Sequence, residues 1–389
     1  MSAAAASSCE RHGGNLAAAA ARLGCRPEQL LDASASLVPF RPPALLRRAL
    51  RQAVLRPYPD RDYSDLRRAI AALHQLDPAW VLPGNGAAEL FTWAARDAAA
   101  LGRSQLPEPG FADYRRALAC WGGDLVAAPL PLEWAQPVAK VGGQPGLQPN
   151  PQPNPQPWPL PEAAGRADAA AVLWVTNPHN PTGQLWSRAS LEPLLRSHAL
   201  VICDEAFLSL VPGGEAQSLV PLLAHHPNLV VIRSLTKLFA IAGLRLGYAL
   251  GDPQRLARWS AWRDPWPVNG LAAAAGEALL ADTRFYGRWC ERVQGWVAAE
   301  GAWLHQRLGL LPGLRPMPSA ANFLLLQGVQ QGRPISLEPL RLALEQRHRI
   351  LLRDCRSFEG LGESWLRLGY QDRSGNRRLV DALAGELHG

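Results

Sequence analysis

The chain has 389 residues, of which 48% are hydrophobic and 19% charged. That balance belongs to a folded globular protein with a large core and excludes an intrinsically disordered chain, and the length suggests two or three domains. The net charge of +7 comes from basic residues spread along the whole chain, which points to a basic solvated surface and not to a nucleic-acid partner.

No apolar run approaches the ~20 residues that a membrane span needs. The opening stretch, MSAAAASSCERHGGN, has no basic region followed by an apolar one, so no secretory leader is expected. The six cysteines (Cys9, Cys25, Cys120, Cys203, Cys290 and Cys355) are scattered, without CxxC or metal-ligand spacing. They read as reduced thiols of a cytoplasmic protein without a metal site.

From about residue 80 to 250, short apolar runs alternate with amphipathic stretches. Strands are expected over 80–83, 171–176, 201–204, 229–233 and 246–250, with helices over 87–98 and 190–197 between them. The alternation predicts an α/β domain with a mostly parallel sheet. The runs at 201–204 and 229–233 are almost wholly apolar, as strands covered on both faces are. The segment 142–161, GGQPGLQPNPQPNPQPWPLP, is rich in Pro, Gln, Gly and Asn and cannot build a core; it reads as a disordered or polyproline-like surface insertion. Beyond about residue 264 the pattern is helical (269–281, then 284–308) and ends with strands expected over 322–326 and 365–368. The expected division is an N-terminal segment, 1–44, packing with a smaller α+β domain, 264–389, and a large domain, 45–263.

Only two of the 40 basic Lys and Arg residues are lysines, Lys140 and Lys237. A lysine survives such a bias where an amine is required, because a guanidinium stays protonated and cannot form a Schiff base. Lys140 lies beside the low-complexity insertion, and Lys237 lies in RSLTKLFAIAGLRLGY. There a strand ends at Arg233, and a polar turn presents Lys237 beside Ser234 and Thr236, with Arg245 eight residues on. Hydroxyls and a guanidinium are the donors that a phosphorylated cofactor needs. In NPHNPTG, which follows an apolar run, Asn180 can donate its amide to a ring phenolate. In CDEAF, at the next strand end, Asp204 can pair with a protonated pyridine nitrogen. GNGAAEL opens a helix after a strand, where Gly86 and Ala87 can offer backbone N–H groups to phosphate. Each motif is weak alone. Their order, with 24 residues from Asn180 to Asp204 and 33 from there to Lys237, makes them strong together.

Over nearly its whole length the chain resembles the fold-type I pyridoxal 5′-phosphate (PLP) enzymes, the aspartate aminotransferase superfamily. The resemblance implies a large domain with a mixed, mostly parallel sheet plus a smaller α+β domain. It implies PLP carried on Lys237 as a Schiff base. Ser234, Arg245 and the backbone of Gly86 and Ala87 would bind the phosphate, and Asn180 and Asp204 would hold the ring. Phe111 of PEPGFADY maps to the aromatic that stacks on the ring. Tyr58 of the YPD element maps to a tyrosine that reaches the partner subunit's phosphate, which implies a homodimer with a shared active site. Arg367 maps to the arginine that binds the substrate carboxylate.

Within the superfamily the chain is similar to the threonine-phosphate decarboxylases of cobalamin biosynthesis and to the histidinol-phosphate aminotransferases. HGGN at 12–15, LLDASASLVP at 30–39, Phe207 where aminotransferases carry tyrosine, and RDCRSFEGL at 353–361 resemble the decarboxylases. The asparagines of the decarboxylases' SANINP are missing from ASASLVP. Reaction type follows from which Cα bond stands perpendicular to the ring, so two anion anchors on the substrate decide it. Arg367 is the candidate for the carboxylate, and Arg353 with His12 and Ser34 for a phosphate. The expected reaction is decarboxylation of L-threonine O-3-phosphate to (R)-1-aminopropan-2-yl phosphate. The alternative is an aminotransferase acting on histidinol phosphate or an aromatic amino acid.

Overall fold

The computed structural model describes residues 13–132, 156–166 and 170–388. Fourteen strands form among them: β1 (Leu31–Asp32), β2 (Val81–Asn85), β3 (Ser104–Glu108), β4 (Leu125–Pro129), β5 (Val172–Thr176), β6 (Leu200–Asp204), β7 (Leu229–Ser234), β8 (Leu246–Gly251), β9 (Leu314–Pro316), β10 (Phe323–Gln330), β11 (Arg333–Pro334), β12 (Ile350–Leu351), β13 (Arg353–Asp354) and β14 (Trp365–Gly369). Seven of them make one sheet in the order β2-β8-β7-β6-β5-β3-β4. Its pairings are parallel from β7 across to β4, and β8 runs antiparallel to both of its neighbours.

The central strands are buried along their whole length because both faces are covered. Along them the side chains alternate between two hydrophobic clusters. Leu173, Val175, Val201, Cys203, Leu229 and Val231 enter one; Val172, Trp174, Leu200, Ile202, Val230 and Ile232 enter the other. Each fully buried Val, Leu or Ile contributes about 1.5–3 kcal/mol, so these strands form a rigid base for whatever their ends carry.

A second sheet, β11-β10-β14-β13 with β9 on β10, is antiparallel. The helices Thr283–Gly309 and Arg373–His388 belong to the same C-terminal part of the chain. The N-terminal segment ties into it: β1 pairs in parallel with β12, and the Gly369 N–H donates to the Ala33 carbonyl at 2.7 Å.

The expected strands of the large sheet all form, within two residues of their expected ends. Strands β3 and β4 were not foreseen, because SQLPE carries Ser104, Gln105 and an internal proline and does not read as an apolar run. The helix expected over 190–197 divides into Arg188–Leu191 and Leu194–Ser197. Pro193 lies at the break, where it supplies no backbone N–H. Residues 142–155 of the expected insertion lie outside the described residues. Its end is not a free surface segment: Trp158 makes a parallel bridge to Trp186, and Leu160 is buried, its N–H donating to Ser190 Oγ at 2.9 Å. Among the described residues no helix is long and apolar enough to cross a membrane.

Candidate active site

Strands β5, β6 and β7 run parallel, so their carboxyl ends share one edge of the sheet. In open α/β sheets ligands bind in the crevice beyond that edge. Here β6 ends on Asp204, and β7 ends on Ser234, which caps the short helix Leu235–Leu238 through its Oγ. The two ends are braced by an ionic knot in which Arg233 and Glu205 are buried and Glu215 is exposed. Arg233 lies 2.6 Å from Glu205 and 2.7 Å from Glu215, and its guanidinium also donates to Ser209 and Ser218. A charge buried this deeply is tolerated only when paired; of the Arg233 guanidinium only Nε lacks a partner, and the knot fixes the residues next to Asp204 and Lys237.

Asp204 is 5% exposed. Its Oδ1 accepts from the Ala206 N–H at 2.9 Å, and its Oδ2 accepts from the Tyr114 hydroxyl at 2.6 Å. Burial pushes its carboxyl up to about 6, and these two donors oppose the shift. Lys237 faces Arg367, Arg245, Asp32 and Asp204. Burial first, then the charges of Arg367 and Arg245, pull its amine down to about 8. Its Nζ takes no hydrogen bond or ion pair among the described residues and stands 5.8 Å from the centre of the Phe207 ring. A buried amine that titrates near neutrality is a nucleophile in waiting.

Beside it lies an anion cradle. Gly86 caps the 15-residue helix Ala87–Leu101 with φ 75° and ψ 168°, a conformation open essentially to glycine alone. A Cβ there would lie 2.7 Å from Arg245 Nη2, so the guanidinium packs against the helix N-terminus. Gly247 allows the same closeness from the other side, because its Cβ would meet the Ala87 nitrogen at 2.8 Å. The N–H groups of the first helical turn from Ala87 on, the positive end of the helix and a guanidinium together form a phosphate site; the Gly86 N–H, expected to join them, instead donates to the Gly84 carbonyl at 2.7 Å. Ser234 is half-buried at its edge, while Thr236 is buried, its N–H donating to Ser234 Oγ at 3.3 Å.

On the opposite side stand two arginines, Arg353 and Arg367, paired directly across β13 and β14. They are 4% and 7% exposed. Arg367 donates to Asn180 Oδ1 and, at 3.4 Å, to the Ser34 carbonyl, and its guanidinium lies 4.7 Å over the Phe323 ring. Its Nε is buried with no partner. Burial and the charge of Arg353 pull Arg367 down to about 10. Arg353 donates to Ser357 Oγ and stacks 5.2 Å over Phe358. The two guanidiniums bring buried positive charge to this side of the site, and the unpartnered Nε of Arg367 leaves one donor there for an anion. The Asn180 carboxamide is turned with its oxygen to Arg367, which leaves its NH2 as the donor for a ligand. Ser34 is engaged locally, accepting from the Gly14 N–H at 3.0 Å and donating to Asp32 Oδ1.

Phe111 caps the helix Ala112–Ala119 and packs edge-on to Phe91 and Tyr114. Phe207 packs edge-on to Phe323 at 5.2 Å. Tyr58 has different surroundings: it is 76% exposed and stacks on Trp266 at 4.5 Å. His12 lies outside the described residues. Sequence reasoning missed Tyr114, Thr176, Glu205, Glu215 and Asp32. Glu205 follows Asp204 directly in CDEAF, Asp32 lies in LLDASASLVP, Tyr114 closes PEPGFADY and Thr176 precedes NPHNPTG, so these four stood within reach of quoted motifs; Glu215 carries no local signal.

PLP requires an amine for its aldehyde, donors for its phosphate, a carboxylate for its ring nitrogen and a donor for its phenolic oxygen. Lys237, the Gly86–Arg245 cradle, Asp204 and the Asn180 amide match these four groups, and the orphaned Nε of Arg367 adds an anion position next to them. A cavity of about 380 Å³ shares Phe111, Tyr114 and Thr176 with this cluster but has neither Lys237 nor Asp204 in its lining. The donor set, not the cavity, therefore locates the chemistry.

The model of the family "Aminotransferase class I and II" matches residues 30–383. The chain is 36% identical over 386 residues to a threonine-phosphate decarboxylase of Salmonella typhimurium, covering 97% of each. It is 34% identical over 335 residues to a histidinol-phosphate aminotransferase of Symbiobacterium thermophilum, covering 85% of this chain and 82% of that one. Among solved structures, the histidinol-phosphate aminotransferase of Sinorhizobium meliloti in complex with pyridoxal 5′-phosphate shares the fold with a TM-score of 0.77 at 22% identity, covering 96% of this chain and 95% of that one. The chain therefore belongs to the aminotransferase class I and II family and is a PLP-dependent enzyme.

Proposed function

We propose that the enzyme decarboxylates L-threonine O-3-phosphate to (R)-1-aminopropan-2-yl phosphate in cobalamin biosynthesis. The observation that carries this reading is the buried pair Arg353 and Arg367 beside Lys237. Two guanidiniums at that place suit a substrate with two anionic groups, a carboxylate and a phosphate. The full-length likeness to the Salmonella decarboxylase supports the same choice.

When bound, PLP supplies a protonated pyridine ring that accepts the electron pair left at Cα. Lys237 would hold it, Asp204 would keep the ring nitrogen protonated, and Asn180 would donate to the phenolic oxygen. Gly86, Ala87, Ser234, Thr236 and Arg245 would bind its phosphate, Phe111 would pack against the ring, and Phe207 would stand where a tyrosine hydroxyl could otherwise donate. Arg367 would bind the substrate carboxylate, and Arg353 with His12 the substrate phosphate; Ser34 would join them by turning its hydroxyl from Asp32 to the phosphate. Holding both ends would leave the Cα–carboxylate bond, not the Cα–H bond, as the one to break; CO2 would leave, and Cα would take one proton, which Lys237, its amine pulled down to about 8, is suited to deliver.

The same reading divides the chain into an N-terminal segment (1–44), a large domain (45–263) and a small one (264–389). It makes the enzyme a homodimer in which Tyr58, exposed in the single chain, serves the partner's phosphate site. It also puts the enzyme in the cytoplasm. The second reading, an aminotransferase on histidinol phosphate, is favoured by the likeness to the Symbiobacterium enzyme. Steady-state rates on threonine phosphate alone, and on histidinol phosphate with 2-oxoglutarate, separate the two. A higher kcat/KM on the second pair would overturn the decarboxylase reading.

A further inference from the structure

Tyr114 and Thr176 have no part in the scheme above, yet they stand directly behind Asp204. The Tyr114 oxygen is 2.6 Å from Asp204 Oδ2 and 2.8 Å from Thr176 Oγ1. All three side chains are buried, at 4%, 5% and 5% exposure for Tyr114, Asp204 and Thr176. Counting protons fixes the direction of the chain. A phenol has one proton, and an ionised carboxylate only accepts. The Tyr114 proton therefore goes to Asp204, and Thr176 gives its own to the Tyr114 oxygen. Each bond polarises the next, and in a buried site such a relay is stronger than its separate links. Burial, and then the charge of Asp204, raise the Tyr114 phenol well above its ordinary range, so it stays a donor at every working pH.

We infer that Tyr114, backed by Thr176, is a positioning residue that keeps Asp204 an ionised and oriented carboxylate for the PLP ring nitrogen. This rests on the assignment of Asp204 to that nitrogen. The charged and titratable groups facing Asp204 are Cys203 and Glu205 beside it on its own strand end, Asp113 and Tyr114 on the helix Ala112–Ala119, and Lys237 on the helix Leu235–Leu238; burial holds the Cys203 thiol neutral. Glu205 is paired with Arg233 at 2.6 Å, and Asp113 with Arg116 at 2.8 Å. The hydroxyl of Tyr114 is thus the strongest single influence against protonation of Asp204, ahead of the Ala206 N–H.

The sign follows. Asp204 must be ionised to hold the ring-nitrogen proton, so PLP affinity falls as pH drops through about 6. Removing the Tyr114 hydroxyl takes away a contact that favours the ionised form, so the midpoint moves up, by about 1–2 units for a hydrogen bond to a charge.

The test is PLP binding to the cofactor-stripped full chain between pH 5 and 9, followed by tryptophan fluorescence. Wild type, Tyr114→Phe, Thr176→Val and Asp204→Asn are compared with PLP and with a carbocyclic analogue in which CH replaces the ring nitrogen. Lys237 titrates in every sample, so differences between variants carry the result. In Tyr114→Phe the low-pH midpoint rises by about 1–2 units, and PLP binds about 2- to 10-fold more weakly near pH 7. Thr176→Val shifts the midpoint the same way and by less. Neither change weakens the analogue. Phenylalanine keeps the ring packing of Tyr114 on Phe91 and Trp174, at 5.1 and 5.2 Å; if that variant fails to fold, Thr176→Val carries the test. An unshifted midpoint, or equal weakening of PLP and analogue, overturns the inference. If Asp204→Asn binds PLP as wild type does, the assignment of Asp204 falls first and takes the inference with it.

Discussion

Replacing Arg353 by methionine separates function from stability in a way the geometry makes specific. Arg353 is 4% exposed and sits directly opposite Arg367, whose proton affinity it lowers. Methionine fills most of the volume and removes one of two buried like charges. Relief of the repulsion from Arg367 opposes the loss of the Arg353 hydrogen bond to Ser357 Oγ, so the thermal midpoint of the free protein should change by no more than a few degrees. Substrate binding should suffer instead. A charge-assisted hydrogen bond to the substrate phosphate is worth about 1.5–3 kcal/mol, which is a loss of about 10- to 150-fold in kcat/KM for threonine phosphate. The released substrate end should also let amino-group transfer appear as a side reaction. Differential scanning calorimetry and steady-state CO2 release measure the two arms. A variant that melts several degrees lower but keeps its kcat/KM would show that Arg353 is a structural residue and that the phosphate anchor is elsewhere.

Two further changes test the cofactor site. Borohydride treatment of the PLP-loaded protein should fix the cofactor on the peptide containing Lys237, and the rate of attachment to stripped protein should rise with pH through about 8, because the neutral amine is the nucleophile; an adduct on Lys140, or a covalent adduct surviving Lys237→Ala, would contradict the assignment. Gly86→Ala forces a side chain onto a backbone with φ 75° and pushes its Cβ to 2.7 Å from Arg245 Nη2. The backbone strain costs about 1–3 kcal/mol of stability, and displacement of the guanidinium should weaken PLP binding about 10-fold, read by urea denaturation and PLP titration. Unchanged PLP affinity would place the phosphate elsewhere.

What the sequence made legible depended on how local each signal was. Strands β6 and β7 could be read because both of their faces are buried, which leaves continuous apolar runs. Strand β3 is buried as well, yet it holds Ser104, Gln105 and Pro107; its Ser104 Oγ accepts from the indole of Trp174 at 3.3 Å, a satisfaction visible only in three dimensions. Lys237 stood out chemically, as one of two lysines in the chain. Tyr114 did not, because its partner Asp204 is 90 residues away. The grip of Arg367 on Asn180 spans 187 residues, so both residues could be named from motifs but not joined. The break at Pro193 was legible in hindsight from a single residue, since an internal proline removes a helix donor.

The central claim is the fate of the substrate carboxylate. Purified, PLP-loaded enzyme given L-threonine O-3-phosphate labelled with 13C in the carboxyl group should release labelled CO2 in equal amount to (R)-1-aminopropan-2-yl phosphate, with no keto acid required. Retention of the label in a keto-acid product, with the amino group passed to an acceptor and no CO2 released, would contradict it.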